Sequence, residues 1–117
     1  MDGYATFLDH ALDILGIERA HLVLHDFGGP WGCAGRAPDP EGMGDLSPRL
    51  RALDRPALVV WGAQDPYISV EQAERQRESF PSAQVHVLAD SGHWPMVDLP
   101  DRVREVVVPF LRRVVRG

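Results

Sequence analysis

Residues 56–62, PALVVWG, form an apolar run of strand length that ends at a glycine. No charged side chain interrupts the run, which is typical of a strand covered on both faces in a parallel sheet. Two other short apolar segments, HLVL at residues 21–24 and QVHVL at residues 84–88, also have strand length. Together the three segments predict a short sheet of about three strands.

Helical patterns separate these strands along the chain. The first pattern, over residues 4–15, repeats apolar residues at the i, i+3, i+4 spacing and stops at Gly16. Ser69 is a candidate N-cap for a polar helix, and Pro109 should kink the last helix. The helices are predicted over 4–15, 47–54, 70–79 and 101–115. Because helices and strands alternate, we expect an α/β fold with a parallel sheet flanked by helices.

Composition limits both the size and the class of the protein. The 117 residues are 44% hydrophobic and 25% charged, which suits one globular domain. The 12 Lys and Arg residues against 17 Asp and Glu residues give a net charge of -5. This balance argues against a nucleic-acid partner, since phosphate binding usually needs a basic face. Cys33 is the only cysteine, so no disulfide can form within the chain.

The first residues of the sequence do not have the pattern of a targeting signal. Asp2 lies where a signal peptide would carry positive charge, and no apolar core follows it. No apolar run approaches a membrane-spanning length. We therefore expect a cytoplasmic protein that does not bind membranes.

Three polar residues follow the three predicted strands. Asp26 ends the first strand, Asp65 comes just after the second, and His93 lies in the loop after the third. The carboxyl ends of parallel strands share one edge of a sheet, which is where ligands bind in open α/β folds. The order along the chain is therefore carboxylate, acid and histidine at one edge.

Three stretches of this sequence resemble motifs of the α/β-hydrolases. LVLHDFGGPWG at residues 22–32 resembles the nucleophile elbow of the branch that uses aspartate, as in haloalkane dehalogenases and epoxide hydrolases. LVVWGAQDPYIS at residues 58–69 resembles the strand and turn that carry the catalytic acid. LADSGHWPMVDLPDRV at residues 88–103 resembles the catalytic-histidine loop and the start of the last helix.

The resemblance implies a catalytic role for each of these polar residues. Asp26, ionised at neutral pH, would attack an sp³ carbon that bears a leaving group and form an ester. His93, oriented by Asp65, would then take a proton from the water that cleaves this ester. The backbone N–H of Phe27 would stabilise the oxyanion. Trp31 and Trp94 are candidate substrate contacts, and no cofactor is implied.

Each of these residues also has a structural alternative. Asp26 before two glycines could serve as a helix N-cap, and Asp65 before Pro66 fits an ordinary turn. His93 could be a plain loop residue. Trp31 and Trp94 could pack against other side chains rather than contact a substrate.

Several side chains raise the question of a metal site. The sequence has no HExxH motif and no paired Cys/His spacing, so we expect no bound metal. The side chains that could suggest such a site are those of His21, His25, Asp26 and His86.

The family resemblance also predicts which parts are missing. We expect residues 1–117 to form a single partial domain, because a complete family member has strands before the elbow, another central strand and a helical cap. Its segments are the elbow at 20–35, a loop at 36–48 in place of the cap domain, the acid strand and turn at 56–66, and the histidine loop with the last helix at 84–115.

Two hypotheses about function follow. The first is a hydrolase that acts on a carbon–halogen or epoxide bond of a small molecule through Asp26, Asp65 and His93. The alternative is a non-catalytic truncated remnant, a small folded domain that could form homo-oligomers through an exposed sheet edge.

Overall fold

The computed structural model describes residues 2–25 and 47–117, and the chain divides into two compact units, 1–50 and 51–117. In the first unit, helix α1 spans Asp2–Ile14, close to the predicted range. Gly16 ends this helix with a φ of 67°, the left-handed conformation that glycine adopts without strain. The N–H of Ile17 donates to the carbonyl of Leu12 at 2.8 Å, and that of Gly16 donates to Asp13 at 3.0 Å. This pair of bonds is a Schellman cap.

The predicted strand at residues 21–24 is wrong, because these residues form no strand. They are also not buried, and the side chain of Val23 is 84% exposed. A strand needs a neighbouring strand to satisfy its backbone hydrogen bonds, and none of the described residues pairs with this segment. An apolar sequence alone therefore did not produce a strand here.

The second unit contains a parallel pair of strands. Strand β1 spans Leu58–Gly62 and strand β2 spans Gln84–Leu88, the range predicted for it. The register pairs Leu58 with Gln84 and Gly62 with Leu88, so the carboxyl ends of both strands lie at the same edge. Within the described ranges the sheet thus has two strands rather than the predicted three. The expected α/β architecture is confirmed.

Helices precede, connect and follow these strands along the chain. Helix α2 spans Ser47–Leu53, and helix α3 spans Glu71–Arg75 and continues as a 3₁₀ turn at Gln76–Glu78. The prediction of Ser69 as the N-cap of α3 is wrong, because Val70 holds that position and no side chain caps the helix. Instead the backbone carbonyl of Ser69 accepts the N–H of Gln72 at 3.0 Å. The helix α3 contacts both strands that it connects.

The chain after β2 forms two consecutive helices. Helix α4 spans Pro95–Asp98 and helix α5 spans Pro100–Arg116, with Pro100 at its first position and Pro109 inside it. An apolar stripe of α5 is half-buried while the polar positions between its members are exposed. None of the described helices is both long and apolar enough to cross a membrane. The stripe consists of Val103, Val106, Val107, Phe110, Leu111 and Val114.

Candidate functional site

The side chains of Asp65 and His93 meet at the carboxyl edge of the sheet. Asp65 lies three residues beyond the end of β1, and His93 lies five residues beyond the end of β2. Because the two strands are parallel and in register, their following loops emerge side by side. His93 Nδ1 lies 2.8 Å from Asp65 Oδ2, and the side chains are only 11% and 6% exposed. The structure therefore brings together the predicted acid and the predicted base.

Backbone donors fix the other oxygen of Asp65. Its Oδ1 accepts the N–H of Tyr67 at 2.8 Å and the N–H of Ile68 at 3.0 Å. Burial raises the pKa of this carboxyl, but the hydrogen bonds from Ile68, His93 and Tyr67 outweigh burial and lower the pKa overall. Asp65 is therefore an ionised carboxylate at neutral pH, which can only accept hydrogen bonds.

The charge state of Asp65 determines the tautomer of His93. Since an ionised carboxylate has no proton to donate, His93 must donate its Nδ1–H to Asp65 Oδ2. In neutral His93 the proton-accepting lone pair then resides on Nε2. This is the arrangement that a histidine general base requires.

Gly62 allows the histidine loop to cross the end of β1. A Cβ atom at Gly62 would overlap the carbonyl oxygen of Gly92 and would lie 2.5 Å from that of Ser91. The backbones are also joined here, since Gln64 donates its N–H to the carbonyl of Ser91 at 2.9 Å. The acid turn and the histidine loop are thus held together by main-chain contacts as well as by the Asp65–His93 bond.

Two aromatic rings flank the histidine. The ring of Tyr67 lies edge-on to His93 at a centroid distance of 5.1 Å, and that of Trp94 lies edge-on at 5.3 Å. The side chain of Trp94 is 54% exposed, so much of its ring faces solvent beside the imidazole. A role for Trp94 in substrate contact stays a prediction. The sequence did not single out Tyr67 as part of this site.

The remaining predicted site residues lie outside the described residues. These are the nucleophile position Asp26, the oxyanion donor Phe27 and the candidate substrate contact Trp31. Their roles remain predictions. In the described part of the chain, no cluster of three or more His, Cys, Asp or Glu side chains could hold a metal ion.

Two structural contributions escaped the sequence-based prediction. The close approach at Gly62 depends on the path of a loop thirty residues away in the chain, and a strand-ending glycine gives no sign of it. Asp98, whose carboxylate binds the residues before His93, lies within the quoted histidine-loop motif. The sequence did offer a signal for this contact. Asp98 follows the histidine closely and ends a short helix that begins with Pro95.

Comparison with a solved structure identifies the fold. The crystal structure of a predicted CIB-like hydrolase from Thermoplasma acidophilum superimposes with a TM-score of 0.78 at 18% sequence identity. The match covers 94% of this chain and 58% of that chain. Residues 44–100 also match the family model for the alpha/beta hydrolase fold. The chain has an α/β-hydrolase fold. Both β1 and β2, with the Asp65 and His93 loops, lie within the matched range.

Two curated relatives of this chain are named as a hydrolase and as an esterase. The 2-hydroxy-6-oxononadienedioate/2-hydroxy-6-oxononatrienedioate hydrolase of Burkholderia vietnamiensis is 33% identical over 75 residues, which are 64% of this chain and 26% of that protein. The esterase YbfF of Escherichia coli is 35% identical over 63 residues, 54% of this chain and 25% of that protein. The match thus spans about a quarter of the length of these relatives.

Proposed function

We propose that this chain provides the acid and base of a hydrolase active site, with Asp65 orienting His93 as the general base. The observation that carries the proposal is the 2.8 Å contact between His93 Nδ1 and the buried carboxylate of Asp65. Because that contact directs the proton to Nδ1, Nε2 can take a proton from water. General-base assistance of this kind typically accelerates hydrolysis by about 10²–10⁴-fold.

Asp26 is the proposed nucleophile. Its carboxylate oxygen would form a bond to a carbon atom while the bond from that carbon to its leaving group breaks, giving an ester on Asp26. Water, deprotonated by His93, would add to the ester carbonyl, and the product alcohol would depart with a proton returned by His93. The backbone N–H of Phe27 would stabilise the negative charge that develops on the ester oxygen.

A carbon–halogen or epoxide bond is the proposed reacting bond. An aspartate in the elbow favours these small-molecule substrates, because a carboxylate can displace a leaving group from an sp³ carbon without a base. Trp94 beside His93, together with Trp31, would contact the apolar part of such a substrate. The exposed ring of Trp94 supports this role.

Hydrolysis of an ester or another carbonyl compound is the second candidate function. The names of the relatives, an oxo-acid hydrolase and an esterase, favour it. The Asp65–His93 pair fits this chemistry equally well, because a histidine base also activates water for attack on a carbonyl carbon. The two candidates differ in whether an alkyl group becomes attached to Asp26.

Mass spectrometry of a His93→Ala variant distinguishes these functions. Incubation with a panel of haloalkanes and epoxides should leave an alkyl adduct on Asp26, because the variant lacks the base that removes it. A parallel panel of esters, assayed with the native chain, tests the second candidate. The absence of an adduct across the first panel contradicts the aspartate-nucleophile mechanism. Absence of turnover in both panels would favour the non-catalytic remnant.

Self-association through a sheet edge is a further proposal. Strand β2 pairs with β1 along one edge, and none of the described residues pairs with its other edge. A strand edge without a partner can pair with a second copy. Sedimentation analysis at several protein concentrations should show a dimer in equilibrium with the monomer. A cytoplasmic location is proposed on the basis of the sequence.

A further inference from the structure

The carboxylate of Asp98 binds the two residues that precede His93. Asp98 Oδ2 accepts the N–H of Gly92 at 2.8 Å and the hydroxyl of Ser91 at 3.1 Å. Ser91 is fully buried, and Asp98 is the last residue of helix α4. One side chain therefore connects the end of this helix to the start of the histidine loop.

The turn after β1 and the end of β2 hold the same loop through main-chain hydrogen bonds. The carbonyl of Ser91 accepts the N–H of Gln64 at 2.9 Å, while the N–H of Ser91 donates to the carbonyl of Leu88 at 3.3 Å. The backbone at Ser91 and Gly92 thus has hydrogen bonds both to the sheet side and to Asp98. Asp98 thus attaches the loop through a side chain, whereas the contacts on the sheet side join main-chain groups.

The position of this backbone determines where the imidazole lies. His93 follows Gly92 directly, and its Nδ1 must come within hydrogen-bonding distance of Asp65 Oδ2. A shift of the Gly92 peptide by about 1 Å would carry the Cα of His93 with it, and displacements of that size can cost about a hundredfold in rate. The loop attachment and the acid–base contact are therefore mechanically linked.

We propose that Asp98 is a positioning residue that sets the distance between His93 and Asp65. Asp98 acts through Ser91 and Gly92 and does not touch the reacting groups. The effect on turnover rests on the function proposed above, whereas the effect on the Asp65–His93 hydrogen bond is a property of the folded chain that can be measured without substrate.

Proton NMR of the full chain provides the test, with the His93 Nδ1–H resonance as the readout. The resonance is assigned by its loss in Asp65→Ala. In Asp98→Ala it should move upfield or disappear through exchange with water, since the hydrogen bond to Asp65 lengthens. Ser91→Ala removes one of the two bonds to Asp98 and should give a smaller shift. Asp101→Ala is the matched control, because this exposed carboxylate pairs with Arg104 on α5 instead.

The outcomes separate positioning from simple stabilisation. An unchanged resonance in a folded Asp98→Ala variant overturns the proposal, and Asp98 then only stabilises the loop. If Asp98→Ala does not fold, an unchanged resonance in Ser91→Ala overturns it equally. Where the native chain turns over a substrate, Asp98→Ala should lower kcat by up to about a hundredfold and leave KM nearly constant. A native chain without turnover contradicts the proposed function, while the resonance still decides the role of Asp98.

Discussion

Gly62 and Gly92 lie so close together that no side chain can stand between them at Gly62. A Cβ atom there would overlap the carbonyl oxygen of Gly92, whereas a Cβ atom at Gly92 would meet its nearest neighbour at 3.7 Å, an ordinary contact. A side chain at Gly62 would therefore clash where the two loops cross, whereas a methyl group at Gly92 would fit. Substitution of each glycine by alanine can test this difference.

A methyl group at Gly62 should push the histidine loop away from β1. We expect Gly62→Ala to lower the free energy of unfolding by about 1–3 kcal/mol, as overpacking usually does, because the obstacle is backbone rather than a flexible side chain. Urea denaturation followed by circular dichroism measures the change. Gly92→Ala is the matched control and should change stability far less. Equal effects of the two substitutions would contradict this steric account.

Replacement of Asp65 by asparagine should abolish most catalysis with little change in shape. The amide nitrogen of asparagine can only donate a hydrogen bond. If this nitrogen takes the place of Asp65 Oδ2, His93 can pair with it only as an acceptor at Nδ1, which moves the imidazole proton to Nε2. In the Ser-His-Asp protease that illustrates this effect, the same exchange lowers kcat about 10⁴-fold through the wrong tautomer. We expect a loss of roughly 10³–10⁴-fold here, measured with whichever substrate the panels identify.

Asp54→Asn provides the control for that substitution. Asp54 is exposed, accepts a hydrogen bond from Ser82 at 3.1 Å, and has a φ of 40°. Asparagine tolerates this left-handed conformation well, so the variant should keep the native activity. Comparable losses in the two variants would indicate that charge removal alone, rather than the contact with His93, accounts for the effect.

The stability of the fold should depend on pH through Asp65. Its pKa is lower in the folded chain than in the unfolded chain, whose carboxyl has its ordinary value near 3.8. The ionised side chain therefore contributes stability that is fully present above that value and is lost as the pH falls through the folded pKa. Thermal melts from pH 7 to pH 2.5 should show native Tm decreasing more steeply below about pH 4 than the Tm of Asp65→Asn. Parallel curves for the two chains would argue against a lowered pKa.

Substitution of Trp94 should show whether its ring contacts a substrate or packs against the fold. Because its ring is more than half exposed, removing the ring should change the free energy of unfolding by less than about 1 kcal/mol. A substrate contact predicts instead that Trp94→Ala raises KM several-fold, as steady-state kinetics would show. Val97→Ala, at an apolar residue that is 72% exposed on α4, is the control. A large loss of stability with an unchanged KM would assign Trp94 to packing.

Local patterns and a general rule predicted that Asp65 and His93 lie at one edge of the sheet, and the resemblance to a known family implied that they pair. The apolar runs that became β1 and β2 are bounded by turn residues, and parallel strands bring their following loops together. The apolar segment at 21–24 failed as a strand because apolarity does not supply a hydrogen-bonding neighbour. The prediction of Ser69 as N-cap was wrong because the helix begins one residue later than expected, which places Val70 at the N-cap.

Contacts across loops were beyond local patterns. The overlap that requires Gly62 to lack a side chain is with a peptide thirty residues later, and it follows from the path of the histidine loop. The binding of Ser91 and Gly92 by Asp98 likewise depends on where α4 ends in space. Such distances arise only once the sheet register and the loop conformations are set.

Asp65 and His93 are separated by only 28 positions, and they lie in the loops that follow one parallel strand pair. Their genetic linkage is therefore tight, and a recombination event outside residues 58–98 would transfer the pair intact to another gene. The same compactness suits protein engineering, since a single grafted segment would carry Asp65, His93 and Asp98 together. In evolution as in design, the rest of the chain could then be exchanged while this hydrogen-bonded group is inherited whole.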